Sequence, residues 1–280
     1  MTHFSPAHSN HEPKSFEHIE LAMGTGFSFR GRSPLSDSDT SIVLNQACAI
    51  LHEADRIFSL YKPESPLSRL ARGETSVAEC PPVVNEIWDA CEAWEKTTDG
   101  WFGAFTPEHT FDPSGLVKTW AANRAAEFVL ERGITDFTLN AGGDVMISDG
   151  VSEAIDWRMG ISKPVSIAAE DAGVLTVVDL HRTPFRAMAT SGSAERGAHI
   201  WNPKAGGREP AKEFVQVSVI ARDLVTADVW ATAAFAEGER AIEHLNRVDD
   251  IEALFVYADG ELAATNGFVN LFAKPDSAAH

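Results

Sequence analysis

The hydrophobic and polar positions of this 280-residue chain change period several times, and those changes mark out its elements. "HIELAMGTGFSFRG" (18–31) alternates apolar and polar residues and reads as a strand. "TSIVLNQACAILHEADRIFS" (40–59) has apolar residues at helical spacing, with Thr40 or Ser41 as N-cap. "YKPESPLSRLARGET" reads as an irregular connection. "PPVVNEIWDACEAWEKTTDG" is a second helix with Gly100 in the C′ position, and "DPSGLVKTWAANRAAEFVLERG" a third, closing at Gly133. Short β-like runs follow: "DFTLNAGGDVMIS", "WRMGIS", "VLTVVDL", "FRAMATSG", "GAHIWNP" and "VQVSVIA". The helices "ADVWATAAFAEG" and "GERAIEHLNRV" and the strands "IEALFVYAD" and "GFVNLFA" complete the chain. Strands and helices are intermixed without strict βαβ alternation, which favours an α+β fold over a doubly wound sheet.

Composition narrows the function classes. The formal net charge of −18 argues against wrapping nucleic acid or lying on an anionic membrane, since both reward clustered Lys and Arg. An anionic ligand would need a local device: a metal ion, a helix N-terminus or a few placed cations. No run approaches the ~18 apolar residues of a membrane span, and the N-terminus lacks an apolar signal core. The expectation is a soluble, cytoplasmic protein. Residues 1–16 are polar and aperiodic, hence a disordered tail, with residues 17–275 as a single domain. His3, His8, His11 and His18 could bind metal weakly, although a loose terminus accounts for them. Cys48, Cys80 and Cys91 match neither a zinc spacing nor a disulfide framework; core packing suits Cys48 and Cys91.

Four stretches offer chemistry, each with a plainer reading beside it. "LNAGGDV" places Asn140, Gly142 and Gly143 at a strand end, either as a tight turn or as a cradle of N–H groups. "MATSGSAERGAHIWNPKAGG" has a Ser191–Gly192 turn, and His199 in it is either a core histidine or a proton acceptor. "FDPSGLVKTWAANR" looks like a helix entry, with Asp112 as cap, Gly115 allowing close approach and Lys118 one turn on, a combination suited to phosphate. In "TADVWATA" Asp228 and Thr232 stand four residues apart on one helix face. They are either a dipole-facing carboxylate and a hydroxyl bonded back to the helix, or two hard donors for Mg²⁺. No Walker or dinucleotide fingerprint occurs.

Taken in order, "MGTGFSF", "ADRIFSLYKPESPLSRL", "GWFGAF", "DPSGLVK", "LNAGGDV", "ATSGSAERGAHIWNP" and "SVIARDLVTADVWATAAFAEG" resemble the ApbE-type FAD:protein FMN transferases over roughly residues 19–272. The resemblance implies a T-fold-like architecture of mixed sheets packed with helices, with the active site in a cleft between two subdomains. It implies cleavage of the FAD diphosphate with Mg²⁺ and transfer of FMN to a Thr or Ser hydroxyl of a target flavoprotein, releasing AMP. Asp228, Thr232 and the Gly115 carbonyl would then hold Mg²⁺. Met23, Tyr61, the Ala104–Phe105–Thr106 turn, Asp112, Lys118, Ser191, Gly192 and Ile200 would contact FAD, and Asp228 and His199 are the candidates for the base.

The same site with water as acceptor would make an FAD diphosphatase, and without turnover an FAD carrier. Four features depart from the family pattern: Thr119 replaces the usual Gly after Lys118, Thr106 and Asn202 replace acids, and only "TPEHTF" separates "GAF" from "DPSG". A shortened wall on the flavin side is expected. The acceptor pattern D-x-x-[ST]-[GSA]-[AS]-T is incomplete in "DSDTSI" and "DLVTAD", so the target is expected to be another protein.

Overall fold

A computed structural model describes residues 12–106, 109–148, 158–167, 173–192, 200, 202–205 and 213–273. Its centre is an eight-stranded sheet in which every neighbouring pair is antiparallel. Along the sheet the strands are β1 (Lys14–Ala22), β2 (Thr25–Ser33), β3 (Asp136–Ala141), β4 (Asp144–Ile147), β7 (Ala187–Gly192), β8 (Phe214–Ala221), β9 (Ile251–Tyr257) and β10 (Leu262–Ala264). The strands β5 (Arg158–Ser162) and β6 (Val174–Asp179) pair separately. The helices are α1 (Asp37–Phe58), α2 (Pro66–Ala71), α3 (Pro82–Thr97), α4 (Ser114–Glu131), α5 (Leu224–Glu237) and α6 (Arg240–Leu245). This is an α+β fold.

Alternation along the central strands divides the core into two layers. Ala187 and Ala189 of β7, Val217 and Val219 of β8, and Ala253 and Phe255 of β9 join the large cluster formed with α1, α3, α4 and α5. Met188, Ile220 and Leu254, each next to one of them in sequence, pack on the other face against Met159 and Ile161 of β5 and Val178 of β6. α5 is apolar almost all round because it lies inside the larger layer, with ten of its fourteen residues buried. An apolar helix of this kind has little room for a carboxylate, yet Asp228 is among the buried ten.

The stretch read as one strand around residue 23 is a hairpin. Ala22 pairs with Thr25, and Met23 and Gly24 carry φ of 50° and 72° between them. Positive φ at both turn residues is the type I′ arrangement that matches strand twist, and the glycine makes it accessible. "DFTLNAGGDVMIS" folds back in the same way at Gly142 and Gly143. Alternation alone cannot distinguish one strand from two joined by a two-residue turn.

Other boundaries move as well. β1 includes Lys14–Phe16, paired with Gly31–Ser33, and His18 belongs to the sheet. The N-cap of α1 is Ser36, whose Oγ accepts from Asp39 N, ahead of Thr40 and Ser41. The "irregular" connection contains α2, capped by Ser65. "GFVNLFA" forms a single 3₁₀ turn at Phe268–Leu271, whereas β10, which the pattern missed, is three residues long. Pro203–Ala205 is likewise a 3₁₀ turn, and neither Ile200 nor Asn202 lies in a strand. No helix among the described residues is long and apolar enough to cross a membrane.

Candidate functional site

The two hairpin turns, the start of α4, the end of β7 and one face of α5 converge on a cleft of about 630 Å³. Its walls include Gly24 and Thr25, Gly142, Asp112, Ser114, Gly115 and Lys118, Thr190–Gly192, and Asp228 and Thr232. The volume is in the range of small-molecule sites.

Close approach between the hairpins requires glycine at 142. A Cβ there would fall 2.4 Å from Thr25 Oγ1, and the backbone φ is +67°. Its N–H donates to the Gly26 carbonyl at 2.9 Å, which fixes the turns side by side. At Gly115 a Cβ would stand 3.3 Å from Phe102 Cε2, a tight approach. Asp112, read as the cap, lies one residue before the observed N-cap Pro113; its Oδ1 accepts from Ser114 N at 3.0 Å and holds the chain entering α4.

The polar centre lies between α4, β4 and α5. Lys118 Nζ donates to Asp144 Oδ2 in a very short contact and stands 3.7 Å from Asp228 Oδ2. Asp144, buried, also accepts from Thr190 N through Oδ1 at 2.9 Å. Thr119 Oγ1 donates to Asp228 Oδ2 at 3.0 Å. The threonine that stands where the family has glycine is thus a partner of the carboxylate on α5. Ser191 Oγ and Thr232 Oγ1 are 3.2 Å apart.

Burial pushes the Asp228 carboxyl up to about 6; Lys118 opposes the shift, Asp144 adds to it, and the Thr119 hydrogen bond also opposes it. A carboxylate so poorly solvated gains from a cation beside it. Asp228, Asp144, Thr232 and the Gly115 carbonyl are all oxygen donors, a chemistry that suits Mg²⁺ rather than a thiophilic metal. The residues present fit that ion.

Of the expected site residues, Tyr61, Asp112, Gly115, Lys118, Ser191, Gly192, Ile200, Asp228 and Thr232 all line the cleft. Tyr61 stands at its rim, 97% exposed. Met23 does not line it; in the hairpin turn its side chain packs on the core and its neighbours Gly24 and Thr25 face the cleft.

The structure also does not bring Ala104, Phe105 and Thr106 to the cleft. Ala104 is buried, its carbonyl accepting from Asp112 N at 2.8 Å. Phe105 bridges to Phe111 and packs against Trp88 of α3, with ring centroids 5.0 Å apart. Thr106 N donates to the Thr110 carbonyl at 2.9 Å. Phe105 and Phe111 both pack on Trp88 of α3, and Trp101, Phe102 and Gly103 provide the wall instead. Trp101 is crossed by Lys204 Nζ, 4.4 Å from the ring centroid. His199 and Trp201 lie outside the described residues.

The sequence patterns do not single out Asp144, the buried partner of Lys118, although it directly follows the "NAGG" turn.

Comparison with known proteins bears on the family and the fold. The model of the ApbE family matches residues 104–255, more than half of the chain. A Klebsiella pneumoniae protein named FAD:protein FMN transferase is 27% identical over 159 residues, 54% of this chain and 46% of its own length. The Escherichia coli K12 protein of the same name is 25% identical over 163 residues, 55% and 44% respectively. The chain therefore spans about half the length of the curated relatives it matches. Among solved structures, the ApbE protein of Thermotoga maritima superposes with a TM-score of 0.76 at 20% identity, covering 93% of this chain and all of that one. The flavin transferase ApbE of Vibrio cholerae gives 0.73 at 21%, covering 93% and 100%. Those likenesses concern the fold. With a family model matched over more than half its length, the chain belongs to the ApbE family.

Proposed function

We propose that the chain transfers FMN from FAD to a Thr or Ser hydroxyl of a separate target flavoprotein, releasing AMP, with Mg²⁺ held by Asp228, Thr232 and the Gly115 carbonyl. The observation that carries this reading is the convergence of Asp228 and Thr232 on α5 with Lys118 and Gly115 on α4 across one cleft. An acidic chain of net charge −18 needs such a device to hold a diphosphate. Mg²⁺, when bound, supplies charge neutralisation and polarises the phosphorus under attack.

The protein's own groups do the rest. The start of α4 presents backbone N–H groups and the positive end of its dipole to the diphosphate. Lys118, anchored by Asp144, adds a cation to the same wall. Tyr61 and Trp101 offer aromatic faces to the flanking rings of the dinucleotide. Transfer of this kind depends on positioning and charge stabilisation more than on covalent help from the protein. The acceptor oxygen bonds to the FMN phosphorus, the bridging P–O bond breaks, and AMP departs with the bridging oxygen. The acceptor proton passes to Asp228 Oδ2 or to His199, and the pH–rate profile of His199→Gln separates the two.

The test is to incubate the protein with FAD, Mg²⁺ and a short acceptor domain carrying D-x-x-[ST]-[GSA]-[AS]-T, then to weigh the acceptor and assay AMP. Acceptor heavier by one FMN, with AMP, supports transfer. AMP alone reduces the activity to that of a diphosphatase, and intact bound FAD to that of a carrier.

A further inference from the structure

Outside the cleft, between the edge strand β1 and α1, a second set of metal-binding side chains comes together. His18 and Glu20 alternate with exposed residues on β1 and so point at the same face of α1. Cys48 and His52, one turn apart on α1, meet them there. The ligand atoms of His18, Glu20 and Cys48 all lie within 4.8 Å of one another. His18 Nε2 is 3.8 Å from Glu20 Oε2, while His52 Nε2 is 3.0 Å from the other oxygen, Oε1.

His18 Nε2 is buried and has no hydrogen-bond partner among the described residues. A buried polar nitrogen without a partner carries a desolvation cost that an unseen water or ion would relieve. Polar residues facing inward from an edge strand also discourage pairing with another chain. That role calls for charge on β1; it gives no reason for a buried sulfur and an imidazole nitrogen to converge on the same carboxylate.

We propose that His18 Nε2, Cys48 Sγ and one Glu20 oxygen bind a Zn²⁺-type cation that ties β1 to α1, with His52 orienting Glu20 through its second oxygen and water completing the coordination. Imidazole, thiolate and carboxylate are the donors that borderline cations select, and oxygen-only Mg²⁺ chemistry is not. Around a tetrahedral zinc, N, O and S donors sit roughly 3.4–3.8 Å apart at the usual bond lengths. The observed separations need only small side-chain movements to reach that spacing. Binding of the metal displaces the Cys48 thiol proton to solvent, leaving a Cys48–metal bond.

Chelator-stripped full-length protein titrated with Co²⁺, a spectroscopic stand-in for Zn²⁺, tests this. The expected result is one tight equivalent with tetrahedral d–d bands and a near-ultraviolet thiolate-to-cobalt charge-transfer band. Among the described residues no cysteine lines the cleft, so a thiolate band does not come from it. Cys48→Ser should abolish it, His18→Ala should weaken Co²⁺ at least tenfold, and His52→Ala should weaken it less. Replacing His3, His8 and His11 by Ala should change nothing, which separates this site from the histidines of the tail. Absence of the band from wild type, its survival in Cys48→Ser, or its loss with the tail histidines would overturn the proposal. Circular dichroism checks each fold. If Cys48→Ser does not fold, His18→Ala decides, and an unchanged Co²⁺ affinity there overturns the site. FAD turnover in Mg²⁺ is not a readout of this site, so its failure would leave the zinc result standing.

Discussion

Asp228→Asn is the most informative single change, because it separates the cost of burying a carboxylate from its use. The fold holds the Asp228 carboxyl near 6 against an ordinary value of 3.8, with the pull of Lys118 already included. A shift of about two units corresponds to up to about 3 kcal/mol, at ~1.4 kcal/mol per unit. The folded value is the higher one, so the contribution of the neutral acid is fully present below about pH 4 and is lost as pH rises through about 6. Metal-free wild type therefore carries the penalty at neutral and alkaline pH, and the isosteric amide does not.

About half of that difference, on the order of 1–2 kcal/mol, falls between about pH 5 and about pH 8. For a domain of this size it moves Tm by a few degrees. Calorimetry of the chelated proteins should show the Tm of the variant rising relative to wild type by that amount across the interval. Adding Mg²⁺ at about a hundred times its Kd should raise wild type by about 2.7 kcal/mol and leave the variant almost unmoved. A variant that loses ground toward pH 8 would refute the desolvation argument, and equal Mg²⁺ stabilisation of both proteins would remove Asp228 from the metal.

Three further outcomes follow from the same geometry. Lys118→Met leaves Asp144 and Asp228 facing one another uncompensated, and should cost about 3 kcal/mol in denaturant unfolding without metal, much of it recovered with Mg²⁺. Gly142→Ala forces a methyl to 2.4 Å from Thr25 Oγ1 at φ +67° and should destabilise by about 2 kcal/mol or more. Thr25→Ala in the same chain should restore part of that loss, since the side-chain clash is relieved and the backbone strain remains; a double-mutant cycle without coupling would contradict the close approach. Tyr61→Ala, at a 97% exposed position on the cleft rim, should change stability by less than about 0.5 kcal/mol while raising KM for FAD. An unchanged KM would take Tyr61 out of the binding surface.

Periodicity located α1, α3, α4 and α5 because each buries one stripe or a whole surface in a common core, and apolar spacing records that directly. Ordered motifs likewise pointed to most of the cleft wall, since a turn that must admit a ligand needs glycine wherever it occurs. The type I′ hairpin at Met23–Gly24 was hidden because alternation continues through a two-residue turn. The residues of the Ala104–Thr106 turn were expected at the cleft and instead pack on or beside α3, a result of the loop length that follows them and of Trp88 waiting across it.

The donor types at the cleft and the helical face carrying Asp228 and Thr232 were therefore legible from the chain itself, because spacing along one helix is a local property. The partners of that carboxylate were not. Lys118 and Asp144 are 26 residues apart and Thr119 and Asp228 are 109 apart. Only the packing of α4 against α5 and of β4 against β7 brings these groups within reach, and with them the low-dielectric setting that raises the proton affinity of Asp228. Burial and long-range pairing are properties of the folded core, and no local pattern encodes them.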